Sequence, residues 1–469
     1  MIEDGRVERR LWPVRAGDGA LPAAVIGTVA LVLADSSIVV LALPEIYREL
    51  DVSVATVVWV LISFNLVLAL AAVPSARLAA SRGPALVTFA GLIVFAAASL
   101  ACGLAPTIEV LLLARCLQAA GGAAAVCASL ELLPAAVGSE RRAVAAWAAA
   151  GAAGAALGPG VGGLLTEFIS WQSIFLVQVP ASALLAVPLV AAARREAEVE
   201  RPAREPAGRP HLAANMALGL ISAGLAAALF LVVLLLIEGW RLSPAVAAAA
   251  VTVMPVAALA TAPLARRIAA GVEARAAAGV ILLTGGLAGL GLLPKASVVL
   301  TFPPQILVGI GLALTLSALT EAALAGRSSQ AIHGGFTIAA RHAGVVAGLL
   351  VLTPLFTADL DTQRRDAEEA GTAALLDAPL SAGAKLDLAG RIGDRIREEE
   401  DRVPVLGPAF EPLPDDPAER DQVTALRATI EDELDRAATH AFSRSFLLAA
   451  AFALAALIPI GLARRRLEL

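Results

Sequence analysis

The chain has 469 residues, of which 58% are apolar and only 16% charged, and its mean hydropathy is +0.78. Soluble domains usually carry about 25% charged residues, so most of this surface belongs in lipid. A soluble enzyme, a nucleic-acid binder and a secreted disulfide scaffold are excluded: the net charge is −5, and Cys102, Cys116 and Cys127 have no metal or C-x-x-C spacing.

A membrane-crossing helix needs roughly 20 apolar residues. Residues 1–21 form a charged tail, and the apolar run behind it is too long for a signal-peptide core, so it is expected to stay as a span. Twelve segments qualify. Six precede a polar stretch: 22–46, 55–79, 84–105, 107–135, 141–167 and 172–193. Six follow it: 212–237, 244–265, 275–294, 297–325, 330–358 and 441–463. The polar stretch, 194–211, has five Arg and three Pro and reads as a flexible linker between bundles 22–193 and 212–358 plus 441–463. Twenty basic residues fall on one side of the spans, against Arg48, Arg241 and Lys295 in short loops on the other. Basic loops stay inside, so both termini, including the tail 464–469, are expected in the cytoplasm of a bacterium.

Residues 359–440 hold 10 Lys+Arg against 21 Asp+Glu and fall on the outer side. Asp416-Pro417-Ala418-Glu419 reads as a helix start: a cap, a proline at the first position and an acid three residues after the cap. Val423, Leu426, Ile430 and Leu434 then recur at helical spacing. Residues 382–402 also read as helix, so a small helical cap is expected, its second helix running into the last span. Six helices plus six about a linker imply two repeated halves. Pro74-Ser75-Ala76-Arg77-Leu78-Ala79-Ala80 in the second segment is echoed by Pro263-Leu264-Ala265-Arg266-Arg267-Ile268-Ala269-Ala270 in the eighth.

In the fifth segment Gly151, Gly154, Gly158 and Gly162 share one face, which lets another helix approach closely, and Pro159 bends the helix. A packing seam and a sliding surface are both open readings. Gly154-Ala155-Ala156-Leu157-Gly158-Pro159-Gly160-Val161-Gly162-Gly163 matches the G-x-x-x-G-P-x-x-G-G signature of major facilitator antiporters at every fixed position, Gly163 included. Asp35 to Pro44, Trp59-Val60, Arg115-Cys116-Leu117-Gln118, Trp171 to Pro180, and Arg341 with Gly344 and Gly348 resemble the drug/proton antiporter branch, closest to its fourteen-helix group. The resemblance implies an all-α major facilitator fold, here with twelve spans. The loop after the second segment departs from the family: Arg77, Arg82 and Gly83 are present, but Ala80 replaces the acid that holds the inner gate, which puts ordinary gate control in question.

Asp35 lies about 20 Å into the first segment and Arg115 about 12 Å into the fourth from the opposite end, at ~1.5 Å per residue. Their depths agree to about a turn. An isolated charge there costs at least ~2.5–3.5 kcal/mol, so each needs a partner or water. The resembled fold turns both helices toward a central cavity. Asp35 is expected to carry the coupled proton, with Arg115 as charge partner and Gln118 one turn away; the alternative is an ion pair that never titrates. Asn65, Trp59, Trp147, Phe175, Gln178, Phe230, Phe336 and Arg341 are candidate cavity residues, each aromatic having core or lipid packing as its plainer reading. No nucleotide, metal or hydrolase motif occurs, so no cofactor is expected and the proton gradient would supply energy. The resemblance implies a non-enzymatic exporter of hydrophobic or amphiphilic small molecules in the plasma membrane; the oligomeric state is open, with a monomer favoured. A lipid or glycolipid flippase and a scaffold or receptor working through 359–440 are the alternatives.

Overall fold

The computed structural model describes residues 19–197, 208–265, 267–268, 270–324, 327, 329–398 and 406–467. The first 18 residues and linker residues 198–207 lie outside them. A bilayer offers backbone groups no water, so each crossing segment must bond within itself. Among the described residues there are helices and no strands, and twelve stretches are long and apolar enough to cross a membrane. They are α1 (Ala20–Leu41), α2 (Val54–Arg82), α3 (Pro84–Gly103), α4 (Ile108–Ser129), α5 (Arg142–Phe168), α6 (Ser173–Ala197), α7 (Leu212–Gly239), α8 (Pro244–Ala265), α9 (Val272–Gly291), α10 (Val298–Leu324), the first part of α11 (Gln330–Leu360), and the last of two helices that follow it.

Polar side chains set several starts by accepting a bond from a free helical N–H. Ser53 accepts from Thr56 N, Ser139 from Arg142 N, and Ser243 from Val246 N with Pro244 behind it. His211 does the same for α7, its Nδ1 accepting from Ala214 N at 3.1 Å.

Glycines decide which helices touch. On α5, a Cβ at Gly154 would strike the Ala30 carbonyl of α1, one at Gly158 would strike Ser37, and one at Gly162 would strike the Ile38 carbonyl. The second half repeats the device: Gly344 and Gly348 of α11 lie against the carbonyls of Gly219 and Ala223 on α7. In the first half Gly91 of α3 and Gly121 of α4 face each other, and in the second Gly279 of α9 and Gly311 of α10 do the same. The two halves are therefore built on one plan. Small residues at equivalent helix pairs let backbones meet where lipid gives no hydrophobic drive for association.

The halves meet along two seams. On one, Gly335 of α11 lies against Ala72 and Ala76 of α2, and Gly334 against Leu130 beyond α4. On the other, Gly163 of α5 lies against Pro244 and Ala248 of α8, and Glu167 accepts from Ala245 N at 3.4 Å. Arg48, between α1 and α2, donates to Glu238 of α7 at 2.6 Å.

The acidic segment prolongs the bundle. The full α11 runs unbroken over Gln330–Asp377, 48 residues, or about 72 Å, against a hydrocarbon core of about 30 Å. Next come α12 (Ala382–Glu398) and α13 (Pro417–Leu462), whose first 25 residues precede the final crossing. Asp416 caps α13, its carboxylate accepting from Glu419 N at 3.1 Å, and Pro417 follows. Leu375, Leu388, Phe410, Val423, Leu426 and Ile430 form an apolar cluster separate from the membrane core. The cap is tied down where α7 ends in an i→i+5 turn: the Trp240 indole donates to Thr439 Oγ1 at 3.0 Å and Arg241 pairs with Asp435 at 2.5 Å.

Candidate functional site

The first half closes around a polar knot drawn from five helices. Arg115 of α4 donates from Nη1 to Asp35 Oδ2 of α1 at 2.5 Å and to Gln118 Oε1 at 2.6 Å. Its Nε–H donates to the Val60 carbonyl of α2 at 3.3 Å. The Asp35 Oδ1 accepts from Gln178 Nε2 of α6 at 2.7 Å and from Gln118 Nε2 at 3.1 Å. Ser99 of α3 completes the set, accepting from Gln118 Nε2 at 2.8 Å and donating to the Phe95 carbonyl at 2.7 Å. The carboxylate thus accepts three charge-assisted bonds, the strong kind. The guanidinium carbon lies 4.1 Å from the Phe64 ring centroid and 5.5 Å from that of Phe175, where ring faces add cation–π attraction.

These groups do not open onto the interface between halves. Asp35 is 1% exposed, and Arg115 and Gln118 are 0% exposed. That differs from the central cavity expected for the pair, and the reason is packing. The glycine face of α5 lies against α1, the Phe64 ring of α2 covers the guanidinium, and the Gln178 amide bonds the Asp35 carboxylate from α6. The Arg115 Nη2 is buried with no partner, so the pair is neutral overall but holds one unmet donor, which costs about 1–3 kcal/mol.

The other candidates divide. Phe175 and Gln178 belong to the knot. Trp147 donates from its indole to the Val126 carbonyl at 3.2 Å, tying α5 to α4 inside the first half. Phe230 is buried in the membrane core, Phe336 is half-buried, and Trp59 is 45% exposed at the start of α2. Asn65 faces the other half: its Oδ1 lies 2.6 Å from His342 Nδ1 of α11, while its Nδ2 donates to the Leu61 carbonyl at 2.8 Å. Arg341, next to His342, is half-buried.

Sequence reasoning missed Ser99, a lone serine in an apolar run with no signal of its own. It named Asn65 without its partner His342, because 277 residues separate the two.

In the loop after α2, Arg77 and Arg82 are exposed and Ala80 half-buried. Gly83 has φ 104° and ψ 134°, a conformation open to glycine. The acid near it comes from α6: Glu196 accepts from Ala85 N at 2.9 Å and Leu86 N at 3.1 Å, at the start of α3. A negative charge there suits the positive end of the helix. A Cβ on Gly83 would fall on that carboxylate, 2.7 Å from Oε1.

Among the described residues no group of three or more His, Cys, Asp or Glu is placed to hold a metal. The knot ties five helices together through one buried ion pair and its hydrogen bonds.

The multidrug resistance protein Stp of Mycobacterium tuberculosis is 38% identical over 158 residues, 33% of this chain and 29% of that protein. The methylenomycin A resistance protein of Streptomyces coelicolor is 34% identical over 229 residues, 48% of this chain and 46% of that protein. The multidrug efflux pump LfrA of Mycolicibacterium smegmatis is 35% identical over 155 residues, 32% and 31% of the two chains. The chain thus aligns with between about a third and a half of the length of these relatives. In fold it resembles a bacterial homologue of the human lysosomal transporter Spinster in an inward-facing, unoccupied conformation, with a TM-score of 0.61, 16% identity, and 94% and 98% of the two chains covered. The sequence profile of the Major Facilitator Superfamily matches residues 25–353. With twelve apolar helices in two like halves and a profile match over most of its length, the chain belongs to the Major Facilitator Superfamily of transporters.

Proposed function

We propose that this protein exports hydrophobic or amphiphilic small molecules across a bacterial plasma membrane in exchange for protons, by alternating access of its two halves, with both termini in the cytoplasm and one chain as the working unit. The observation that carries this reading is the sealed Asp35–Arg115 pair. A carboxylate so enclosed is balanced by one guanidinium, and adding a proton to it removes that balance. Arg115, already holding an unmet donor, must then find other acceptors, and the five helices around it repack. The electrical work available is about 2.3 kcal/mol per charge per 100 mV, enough for a modest gradient. The relatives named for drug and antibiotic resistance support export as the direction.

The test is dye transport in everted membrane vesicles with an imposed pH gradient. Asp35→Asn is expected to abolish gradient-driven transport while the purified protein keeps its helical content and its elution volume. Unchanged gradient-driven transport would remove Asp35 from the mechanism.

A further inference from the structure

A second arginine lies at mid-membrane depth, and the knot does not include it. Arg341 is about 17 Å along α11 from Gln330 at ~1.5 Å per residue. Its neighbours fix where it points. Ala340 and Gly344 lie against Gly219 of α7. On the other flank His342 meets Asn65 of α2. Gly334, two turns earlier in the same sector, lies against Leu130 of the first half. Gly348, two turns later in that sector, lies against Ala223 of α7, so Arg341 leaves its helix beside α7, on the side where α11 meets the first half. It is half-buried there, with packed residues on both flanks, so part of its surface stays uncovered where α11 meets the first half.

Among the described residues Arg341 has no hydrogen bond and no ion pair, and its nitrogens are absent from the sealed polar atoms, unlike the Arg115 Nη2. No carboxylate among the described residues pairs with it. Asp35 is taken by Arg115, and Asp359, the acid on the crossing part of α11, lies 18 residues or ~27 Å further along the helix and pairs with Arg444. The nearest titratable group, His342, is held by Asn65 and offers no negative charge. The sector around Arg341 is otherwise apolar, with Ile338 buried and Val345 half-buried.

We infer that Arg341 is the recognition point for an organic anion: a carboxylate, sulfonate or phosphate on an apolar body, bound where α11 meets the first half with its charge on the guanidinium. The inference rests on the export reading and narrows its substrate class. A guanidinium presents a planar fork that matches such groups with two parallel bonds. The apolar sector accepts the body, and the missing counter-charge arrives with the cargo.

The experiment uses the full chain in phosphatidylcholine nanodiscs and three probes with one apolar body: 1-pyrenebutyrate, its methyl ester and 1-pyrenebutyl-trimethylammonium. Binding is read from energy transfer between the tryptophans and pyrene, with empty nanodiscs subtracted. The carboxylate is expected to bind about tenfold or more tighter than the ester. Arg341→Gln should bring the two to equal affinity, and Arg341→Lys should keep part of the preference, which separates lost recognition from lost folding. A second set of discs containing phosphatidylglycerol identifies the source of the anion. Displacement of pyrenebutyrate from the wild type assigns the site to a lipid headgroup, and no displacement assigns it to a soluble amphiphile; the anion site stands in both. Equal affinity for acid and ester, preference for the ammonium probe, or a preference that survives in Arg341→Gln overturns the proposal. Binding of the ester or ammonium probe in those cases leaves the export reading standing, because that reading fails only in the vesicle assay.

Discussion

The two halves share a helix plan but differ in how each holds its arginine. In the first half, Arg115 is enclosed, paired with Asp35 and covered by two phenyl rings. In the second, Arg341 is half-buried with no partner among the described residues. The equivalent interior of the second half has Gln305 of α10, fully buried and bonded from its Nε2 to Thr301 Oγ1 at 2.9 Å, with no acid bonded to it among the described residues. The same scaffold thus carries a buried ion pair on one side and, on the other, a half-buried cation without a partner among the described residues. Duplicated packing does not imply duplicated chemistry. Glycine contacts between α1 and α5 and between α7 and α11 set the backbone, and a few polar substitutions on that backbone set the role.

The sharpest break of this comparison is a pair of leucines. Arg115→Leu strands the Asp35 charge in a sealed site, and removing one partner of a buried pair is expected to cost about 3–5 kcal/mol. Arg341→Leu removes a charge with no partner and should leave stability unchanged or higher. Thermal unfolding of both variants in detergent checks this, and equal losses would mean that the two arginines are held alike.

A smaller effect tests the shared plan itself. Gly154→Ala and Gly344→Ala each drive a methyl into a facing backbone carbonyl, and overpacking of this kind is expected to cost about 1–3 kcal/mol. Gly285 has nothing within 4 Å of an added Cβ, so Gly285→Ala serves as control and should stabilise by about 0.5–1 kcal/mol through helix propensity. The same unfolding assay should show like losses at the first two sites; a loss at one alone would break the equivalence.

The smallest expected difference lies in the loops that close α2 and α8. Gly83 has φ 104° and the Glu196 carboxylate against it, whereas Gly271 has φ −56° and only Glu273 Oε2 near, at 3.6 Å. Gly83→Ala is expected to cost about 1–2 kcal/mol from backbone strain, and Gly271→Ala close to nothing. Protease sensitivity of the two loops in vesicles gives a second readout: only the first variant should be cut faster.

Much of this was legible in the chain. Length and hydropathy alone require about twenty residues per crossing, so the number of spans follows from composition. The glycine spacing in α5 follows from helix periodicity, and Asp416 follows from the chemistry of free N–H groups at a helix start. The agreement in depth between Asp35 and Arg115 also pointed to their pairing. Depth along a helix is a local quantity, read from residue count and rise. The angular position of one helix against another is not. Gln178 therefore stood among cavity residues while its amide in fact completes the Asp35 shell, and Ser99 went unnoticed.

By itself, then, the sequence determined an all-helical membrane chain in two halves, the small-residue faces and the depths of the charges, because each depends on one helix and its solvent. Only the tertiary structure decided that Asp35 and Arg115 are sealed, that Asn65 and His342 join the halves, and that Arg341 is half-buried without a partner among the described residues. Those outcomes depend on which faces of five or more helices turn toward one another, a choice made by the packing energy of the whole bundle and by no single segment.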